Sequence, residues 1–476
     1  MSGRRVMRKT KIVATVGPAC SDPDTLTRMI EAGMNVARFN FSHESHEGHA
    51  ERLEMLRNTS SDLGVPVATM LDTKGAEVRT GTVQNGEVRL EVGKPFALFA
   101  GDELGDASGV SVSFPDLVRQ VGPGASIRID DGRLELRVES NHPDELRCVV
   151  VRGGELGNHK GINVPGAPIL VDGLNEANQA DLRFAVEHGI DYIAASFMQR
   201  PEDVQNIRRF LRECGGSIPI IAKIENREGL NHLDGIVAAA NGTMVARGDL
   251  GVELAPAEVP AVQKRIIRTT VGSGKPTITA TQMLDSMERN PQPTRAEASD
   301  VANAILDGSS AVMLSGETAR GRHPVEAVRT MSELALGAEE SLGEYGYLQQ
   351  ISPHPTALVT EAISQAAITM ADHLKAAAIL TLTESGFTSR QISKYRPACP
   401  IIAVTRSRDV VRRLAMNWGV TATFYDGDPA DEKKVDAGVA WALSHGMAEP
   451  GDVVVVTAGI SSEAGSTNMI RIITVT

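Results

Sequence analysis

Four apolar runs in the middle of this chain end in groups that can do chemistry. Pro219-Ile-Ile-Ala-Lys223-Ile-Glu225-Asn226 begins as a buried strand, then carries a cation and a carboxylate at its C-terminal end. Residues two apart in a strand share a face, so Lys223 and Glu225 point the same way. Opposite charges at a buried strand end are costly unless they pair with each other, with a metal or with a charged substrate. The pattern returns in Thr243-Met-Val-Ala-Arg247-Gly248-Asp249-Leu250-Gly251, whose glycines allow a ligand close to the backbone. It returns again in Pro276-Thr-Ile-Thr-Ala-Thr281-Gln282 and in Ala311-Val-Met-Leu-Ser315-Gly316-Glu317-Thr318. One such segment reads equally well as a structural ion pair; the recurrence is what points to a site.

The elements that must position these ends follow from periodicity. Strands are expected over 11–17, 34–43 and 65–73, with helices over 23–32 and 46–63 between them and Gly33 as a C-cap. From about 80 to 170 the pattern changes to short alternating runs such as Val88-Arg-Leu-Glu-Val, separated by Gly, Asn and Asp, which reads as a small antiparallel β-domain, expected as a β-barrel, inserted into the α/β pattern. Alternation then resumes, with strands over 192–197, 218–225, 243–249, 276–281 and 311–315. The helices are expected over 176–188, 201–214, 229–240, 260–272, 295–306 and 324–337. The first three units and these five make eight, the number that closes a (β/α)8 TIM barrel whose active site lies where the strands end. A linker over 341–355 precedes a helix over 360–374 and strands over 378–383, 401–405 and 452–457, an open α/β domain. The expected division is 1–79 and 171–345 for the barrel, 80–170 for the insertion and 352–476 for the C-terminal domain.

Composition narrows the function classes. With 476 residues, two to four domains are expected. The net charge of −12 argues against nucleic-acid or anionic-membrane partners. Cys20, Cys148, Cys214 and Cys399 are far apart and form no C-x-x-C pair, so reduced thiols and a cytoplasmic location are expected. The basic N-terminus is followed by no apolar signal-peptide region, and no run of eighteen apolar residues suggests a membrane span.

These segments resemble the pyruvate kinase family. The resemblance is carried by Thr10-Lys-Ile-Val-Ala-Thr-Val-Gly-Pro18, Asn35-Val-Ala-Arg-Phe-Asn-Phe-Ser-His43, Leu71-Asp-Thr-Lys-Gly75, Ile221-Ala-Lys-Ile-Glu-Asn226 and Met244-Val-Ala-Arg-Gly-Asp-Leu-Gly-Val-Glu253. It continues in Thr279-Ala-Thr-Gln-Met283, Thr294-Arg-Ala-Glu297, Asp300-Val-Ala-Asn-Ala-Ile-Leu-Asp-Gly308 and Met313-Leu-Ser-Gly-Glu-Thr318. It implies phosphoryl transfer from phosphoenolpyruvate to ADP, giving pyruvate and ATP as the last step of glycolysis. It also implies a homotetramer.

By resemblance, Glu225 and Asp249 hold Mg²⁺, a cation suited to a few carboxylates plus substrate oxygens. Lys223 stabilises the transition state, with Arg38 on the transferring phosphate. The Ala246-Arg247-Gly248 backbone cradles the substrate carboxylate, and Thr281 orients a proton source. Asn40, Ser42, Asp72 and Thr73, oxygen donors with a single formal charge, form a K⁺ site. Asn40, His43, Arg79 and Lys160 face the nucleotide; Lys160 belongs to the insertion, which acts as a lid. Glu77 stands where other members carry a Lys whose ammonium replaces K⁺. Thr383, Ser385, Gly386 and Thr388 resemble an effector-phosphate loop, although Glu384 and Phe387 occupy places where basic residues are usual. A carboxylate there disfavours a second phosphate, so a monophosphate activator is expected over fructose 1,6-bisphosphate. Ala76 replaces a usual proline.

Other signals read more plainly. Gly272-Ser-Gly-Lys275-Pro276 ends like a P-loop, but Pro276 replaces the Ser or Thr and a strand follows. His43, His46 and His49 lack a zinc-binding spacing. Two other function classes fit the barrel: an aldolase or mutase acting on a pyruvate-like substrate through a Mg²⁺-bound enolate, and a metabolite sensor without activity. Lys160 and the inserted lid argue for a nucleotide; Lys223, Glu225 and Asp249 argue for catalysis.

Overall fold

The computed structural model describes residues 7–75, 77–167, 169, 173–346, 358–428, 430–459 and 467–476. Position 76, parts of the expected linker and the end of the expected insertion lie outside them.

Eight parallel strands close into a barrel: Lys11–Thr15, Val36–Asn40, Ala68–Asp72, Tyr192–Ala195, Ile220–Ile224, Gly242–Ala246, Thr277–Ala280 and Ala311–Leu314. Closure is made by the first and last, with Lys11 opposite Ala311. Each strand is apolar on both faces because one faces the lumen and the other faces helices. In Ile220–Ile224, Ile221 joins the lumen cluster with Val13, Met70, Met244 and Ile278, whereas Ile220, Ala222 and Ile224 pack outward. Lys223 and Glu225 share the parity of Ile221 and so face inward at the top. The same alternation sends Arg38 inward above Val36, Asp72 above Met70 and Ser196 above Ala194. Aliphatic layers therefore make the floor, and the polar residues sit at the C-terminal rim.

Several helices start at side-chain caps. Asp22 accepts from the Thr25 amide ahead of Pro23. Thr294 and Glu297 form a capping box at the head of Arg295–Leu306. Two expected elements differ. The strand expected over 243–249 ends at Ala246, and Arg247–Glu253 is a helix. The helix expected over 229–240 is two, Arg227–Asn231 and Leu233–Ala239, broken at His232.

Between the third and fourth barrel strands the chain builds a six-stranded sheet with its own core, including Phe96, Leu98, Leu136 and Leu146. Its pairings are antiparallel except that Pro95–Ala100 runs parallel to Gly109–Val112. A separate ribbon pairs Glu87–Leu90 with Gly154–Gly157. The C-terminal sheet has five strands in the order Val420–Phe424, Ile401–Thr405, Ala378–Leu382, Val453–Gly459 and Thr467–Thr474, the last antiparallel to its neighbour. Two of these, Val420–Phe424 and Thr467–Thr474, are edge strands beyond the three expected. Met416 of this domain is fully buried against the lumen cluster. Among the described residues no helix is long and apolar enough to cross a membrane.

Cations from both sides tie the barrel's N-terminal end to the C-terminal domain. Lys11 Nζ donates to the Val420 carbonyl at 2.7 Å, and Arg396 Nη2 donates to the Gly308 carbonyl at 2.6 Å. Burial pushes the Lys11 ammonium down to about 7, Arg8 adds to this, and Glu339 opposes it. An unfolded lysine titrates near 10.4, so between these values the unfolded chain holds a proton that the folded chain has released. Lys11 therefore makes stability rise with pH from about 7 to about 10 and contributes no slope below that window. Thermal midpoints measured across this range should climb less in Lys11→Met than in the parent. Parallel curves for the two proteins would show that Lys11 keeps its proton in the fold.

Candidate functional site

A buried chain of charges crosses the barrel mouth. Lys223 Nζ lies 3.1 Å from Asp72 Oδ1 and 2.9 Å from Glu225 Oε1, and donates to Ser196 Oγ at 2.7 Å. The second oxygen of Asp72 accepts from Arg38 Nε at 2.7 Å, and Arg38 Nη1 donates to Thr15 Oγ1 at 2.9 Å. The Asp72 and Glu225 side chains are each 1% exposed and that of Lys223 is 13%.

At such burial the charges persist only through one another. Burial alone would raise the Asp72 carboxyl, but Arg38 and Lys223 hold it below the usual range. Burial would likewise lower Lys223; Asp72, Glu225 and Asp249 outweigh this and hold its ammonium above the usual value. For Glu225 burial dominates and Asp249 adds to it, against Lys223, so its carboxyl is raised. Asp249 is raised by burial, with Glu77 and Asp131 adding and Lys223 opposing. One ammonium thus serves three carboxylates, and Glu225 and Asp249 are left short of positive charge.

Both face a cavity of about 570 Å³ between the barrel mouth and the inserted sheet, lined also by Ser196, Glu77, Asp131 and Ile162. Among the described residues no group of three or more His, Cys, Asp or Glu is placed to hold a metal. Glu225 and Asp249 nevertheless suit a hard cation that takes its remaining oxygens from substrate and water, and such a cation would relieve their deficit. His43, His46 and His49 make no metal cluster. His46 Nε2 lies 2.7 Å from Asp181, and His49 Nε2 lies 2.9 Å from the His43 carbonyl.

Asp249 sits in the first turn of the helix Arg247–Glu253. There the Gly248 amide donates to Thr281 Oγ1 at 2.8 Å, which joins two of the expected strand ends. The Arg247 side chain turns elsewhere. Its Nη1 meets both oxygens of Asp300 at 2.8 and 2.6 Å, and its Nη2 donates to the Thr281 carbonyl at 2.7 Å. Any ligand contact of Ala246 and Arg247 must therefore come from backbone at the helix start. The fourth strand end is also a brace: Glu317 accepts from the Leu284 and Ser315 amides at 3.1 and 2.7 Å.

Asn40 and Asp72 are register partners on adjacent strands, so the expected cage of Asn40, Ser42, Asp72 and Thr73 is local. Asn40 Oδ1 accepts from the Ser42 amide at 3.2 Å, and the Thr73 carbonyl accepts from Ser196 Oγ at 2.7 Å. His43, Lys74, Arg79 and His159 line a second cavity of about 500 Å³. Lys160 instead pairs with Asp130 at 2.9 Å, and Glu77 pairs with Arg79 at 2.6 Å.

In the C-terminal domain Thr383 Oγ1 accepts from the Gly386 amide at 2.9 Å, Gly386 has φ 76°, and Thr388 bonds Thr467. Ser385 stays exposed, its carbonyl accepting from Arg390 at 3.0 Å, while Glu384 lies 3.5 Å from Lys434. Sequence reasoning passed over Ser196, Thr15 and Asp300. Ser196 carried a signal, since it closes the apolar run Tyr192-Ile-Ala-Ala in the same way as the other strand ends.

Comparison with known proteins agrees along nearly the whole chain. The family model described as pyruvate kinase, barrel domain, matches residues 7–328, and that described as pyruvate kinase, alpha/beta domain, matches 361–473. Over 98% of this chain, a pyruvate kinase of Geobacillus stearothermophilus is 48% identical with 80% of its own length covered. One of Clostridium acetobutylicum is 45% identical with 99% covered. A crystal structure of a pyruvate kinase from Cryptosporidium parvum superposes with a TM-score of 0.94 at 38% identity, covering 98% of this chain and 96% of that one.

The turn that follows Asp72 leaves no room for a side chain. Gly75 has φ 73°, and a Cβ there would stand 2.6 Å from Ser196 Cβ and 2.7 Å from Phe197 Cδ2. These two residues hold Lys223 through the Ser196 hydroxyl and Glu225 through the Phe197 amide. Gly75→Ala should cost more than about 1 kcal/mol, from the left-handed backbone and the collision together. The check is a drop of the thermal midpoint by several degrees; an unchanged midpoint would mean that the turn relaxes freely.

Proposed function

Since this chain belongs to the pyruvate kinase family, we propose that it moves the phosphoryl group of phosphoenolpyruvate to ADP, giving pyruvate and ATP in the final step of glycolysis. The observation that carries this reading is the Lys223 ammonium set among Asp72, Glu225 and Asp249 at the barrel mouth. In the transfer, the bond between phosphorus and the enol oxygen breaks, a terminal ADP oxygen takes the phosphoryl group, and the enolate carbon gains a proton. Little covalent chemistry falls to the protein, which positions the reactants and neutralises charge. Arg38 and Lys223 present positive charge to the phosphoryl group and to the developing enolate oxygen. Backbone amides of Ala246, Arg247 and Gly248 receive the substrate carboxylate. Thr281, a poor acid alone, orients a water that delivers the proton.

Glu225 and Asp249 would hold Mg²⁺, which supplies charge neutralisation at substrate oxygens. Asn40, Ser42, Asp72 and Thr73 would hold K⁺. The nucleotide is assigned to Asn40, His43, Arg79 and Lys160, with the insertion at 80–170 closing over it as a lid between the barrel parts at 1–79 and 171–345. Lys160 would exchange Asp130 for nucleotide phosphate on closure. Thr383, Ser385, Gly386 and Thr388, in the domain at 352–476, are proposed to seat an effector phosphate. A cytoplasmic homotetramer completes the reading.

The test is ADP-dependent pyruvate formation from phosphoenolpyruvate with Mg²⁺ present, with and without K⁺. Near a phosphorylated substrate the Asn40 cage calls for one extra positive charge, and Glu77 cannot provide it. Activity should be low with Mg²⁺ alone and rise strongly with K⁺, Glu77→Lys should blunt that rise, and AMP or a sugar monophosphate should activate more than fructose 1,6-bisphosphate. No pyruvate under any condition would refute the function. Full activity in buffer free of K⁺ and NH₄⁺ would refute the cation site alone.

A further inference from the structure

Thr281 is held in a conformation that a β-branched residue does not adopt by itself. Its φ is 71°, and that of Gln282 is 54°. Consecutive left-handed residues other than glycine are strained and persist only where the surroundings over-determine them. The contact that reaches both carbonyls is one side chain. Arg247 donates to the Thr281 carbonyl from Nε at 3.2 Å and Nη2 at 2.7 Å, and to the Gln282 carbonyl at 3.3 Å. A planar guanidinium directs these bonds only if its own orientation is fixed. Asp300 fixes it, accepting Nη1 with both carboxylate oxygens at 2.8 and 2.6 Å.

We propose that Asp300 is a positioning residue for the reaction, acting through Arg247 on the backbone of Thr281. This rests on the reading above, in which Thr281 orients the proton source. Asp300 does not line the cavity at the barrel mouth, and its side chain is 38% exposed whereas that of Arg247 is 11% exposed. Its influence on chemistry is therefore indirect. The helix Arg295–Leu306 that carries it is tied to the same loop, since Glu297 accepts from the Ser286 amide at 2.7 Å and from its hydroxyl at 2.6 Å while capping the helix with Thr294. Helix and loop thus form one body, and Asp300 sets the guanidinium from it. The far end of the relay is the 2.8 Å bond from the Gly248 amide to Thr281 Oγ1, beside Asp249. Loss of the Asp300 carboxylate frees Arg247 to reorient, and the Thr281 turn can then relax away from Gly248.

A double-mutant cycle separates this role from that of a plain surface ion pair. Asp300→Ala, Thr281→Ala and the double variant are assayed for kcat and for KM of phosphoenolpyruvate. Solvent deuterium exchange into the pyruvate methyl group is followed in parallel. Asp300→Ala should lower kcat and methyl exchange together by about ten-fold or more with KM changed less than about three-fold, since small misplacements of a reacting group cost that much. Its effect should largely vanish in the Thr281→Ala background. Asp300→Asn, which keeps shape and one acceptor, should fall between, and it carries the test if Asp300→Ala does not fold. A kcat within about two-fold of the parent for both variants, or losses that multiply in the double variant, would overturn the proposal. A parent protein that makes no pyruvate would overturn the functional reading along with it.

Discussion

The site depends on one ammonium in a dry place. Lys223 is nearly buried, yet it stays charged because Asp72 and Glu225 touch it and Asp249 lies close. Those carboxylates need it equally, because burial of an unpaired carboxylate costs several kcal/mol. The arrangement is unbalanced by design of the fold: Arg38 and Lys223 share Asp72, while Glu225 and Asp249 keep raised affinities for a proton. A mouth that lacks positive charge on one side and presents two cations on the other suits a divalent cation and a phosphorylated anion arriving together.

The barrel makes this imbalance possible at little cost to its core. Parity along each strand places aliphatic side chains in the lower layers and leaves inward positions near or just past the strand ends for Arg38, Asp72, Ser196 and Lys223. Because the four come from different strands, their separation is set by sheet register and not by flexible loops. The loops contribute braces instead. Glu317 and Glu297 hold the segment after Thr281, and Asp300 reaches it through Arg247.

Most of the barrel was legible in sequence because a strand buried on both faces is an uninterrupted apolar run, and a charge at its end stands out. The helix Arg247–Glu253 was not, because Arg-Gly-Asp after an apolar run reads as a strand end, and the turn that begins the helix depends on contacts to Thr281. Asp300 was hidden for a different reason. It belongs to an amphipathic helix, and its partner lies 53 residues away, a distance over which periodicity carries no information. The edge strand Thr467–Thr474 was missed because it exposes Met469 and Ile472 and so lacks the buried pattern used for the others. Lys160 was placed by analogy alone, and its ion pair with Asp130 depends on a turn in the inserted sheet.

The most direct measurement replaces the central ammonium while keeping its bulk. Lys223→Met leaves Glu225 and Asp249 in place, so steady-state kinetics should give a turnover lower by several orders of magnitude with KM for phosphoenolpyruvate only modestly raised. Circular dichroism and a retained cooperative thermal transition would establish that the variant is folded. Near-parental turnover in that folded protein would contradict the account, because the charge on which the site is built would then be dispensable for chemistry.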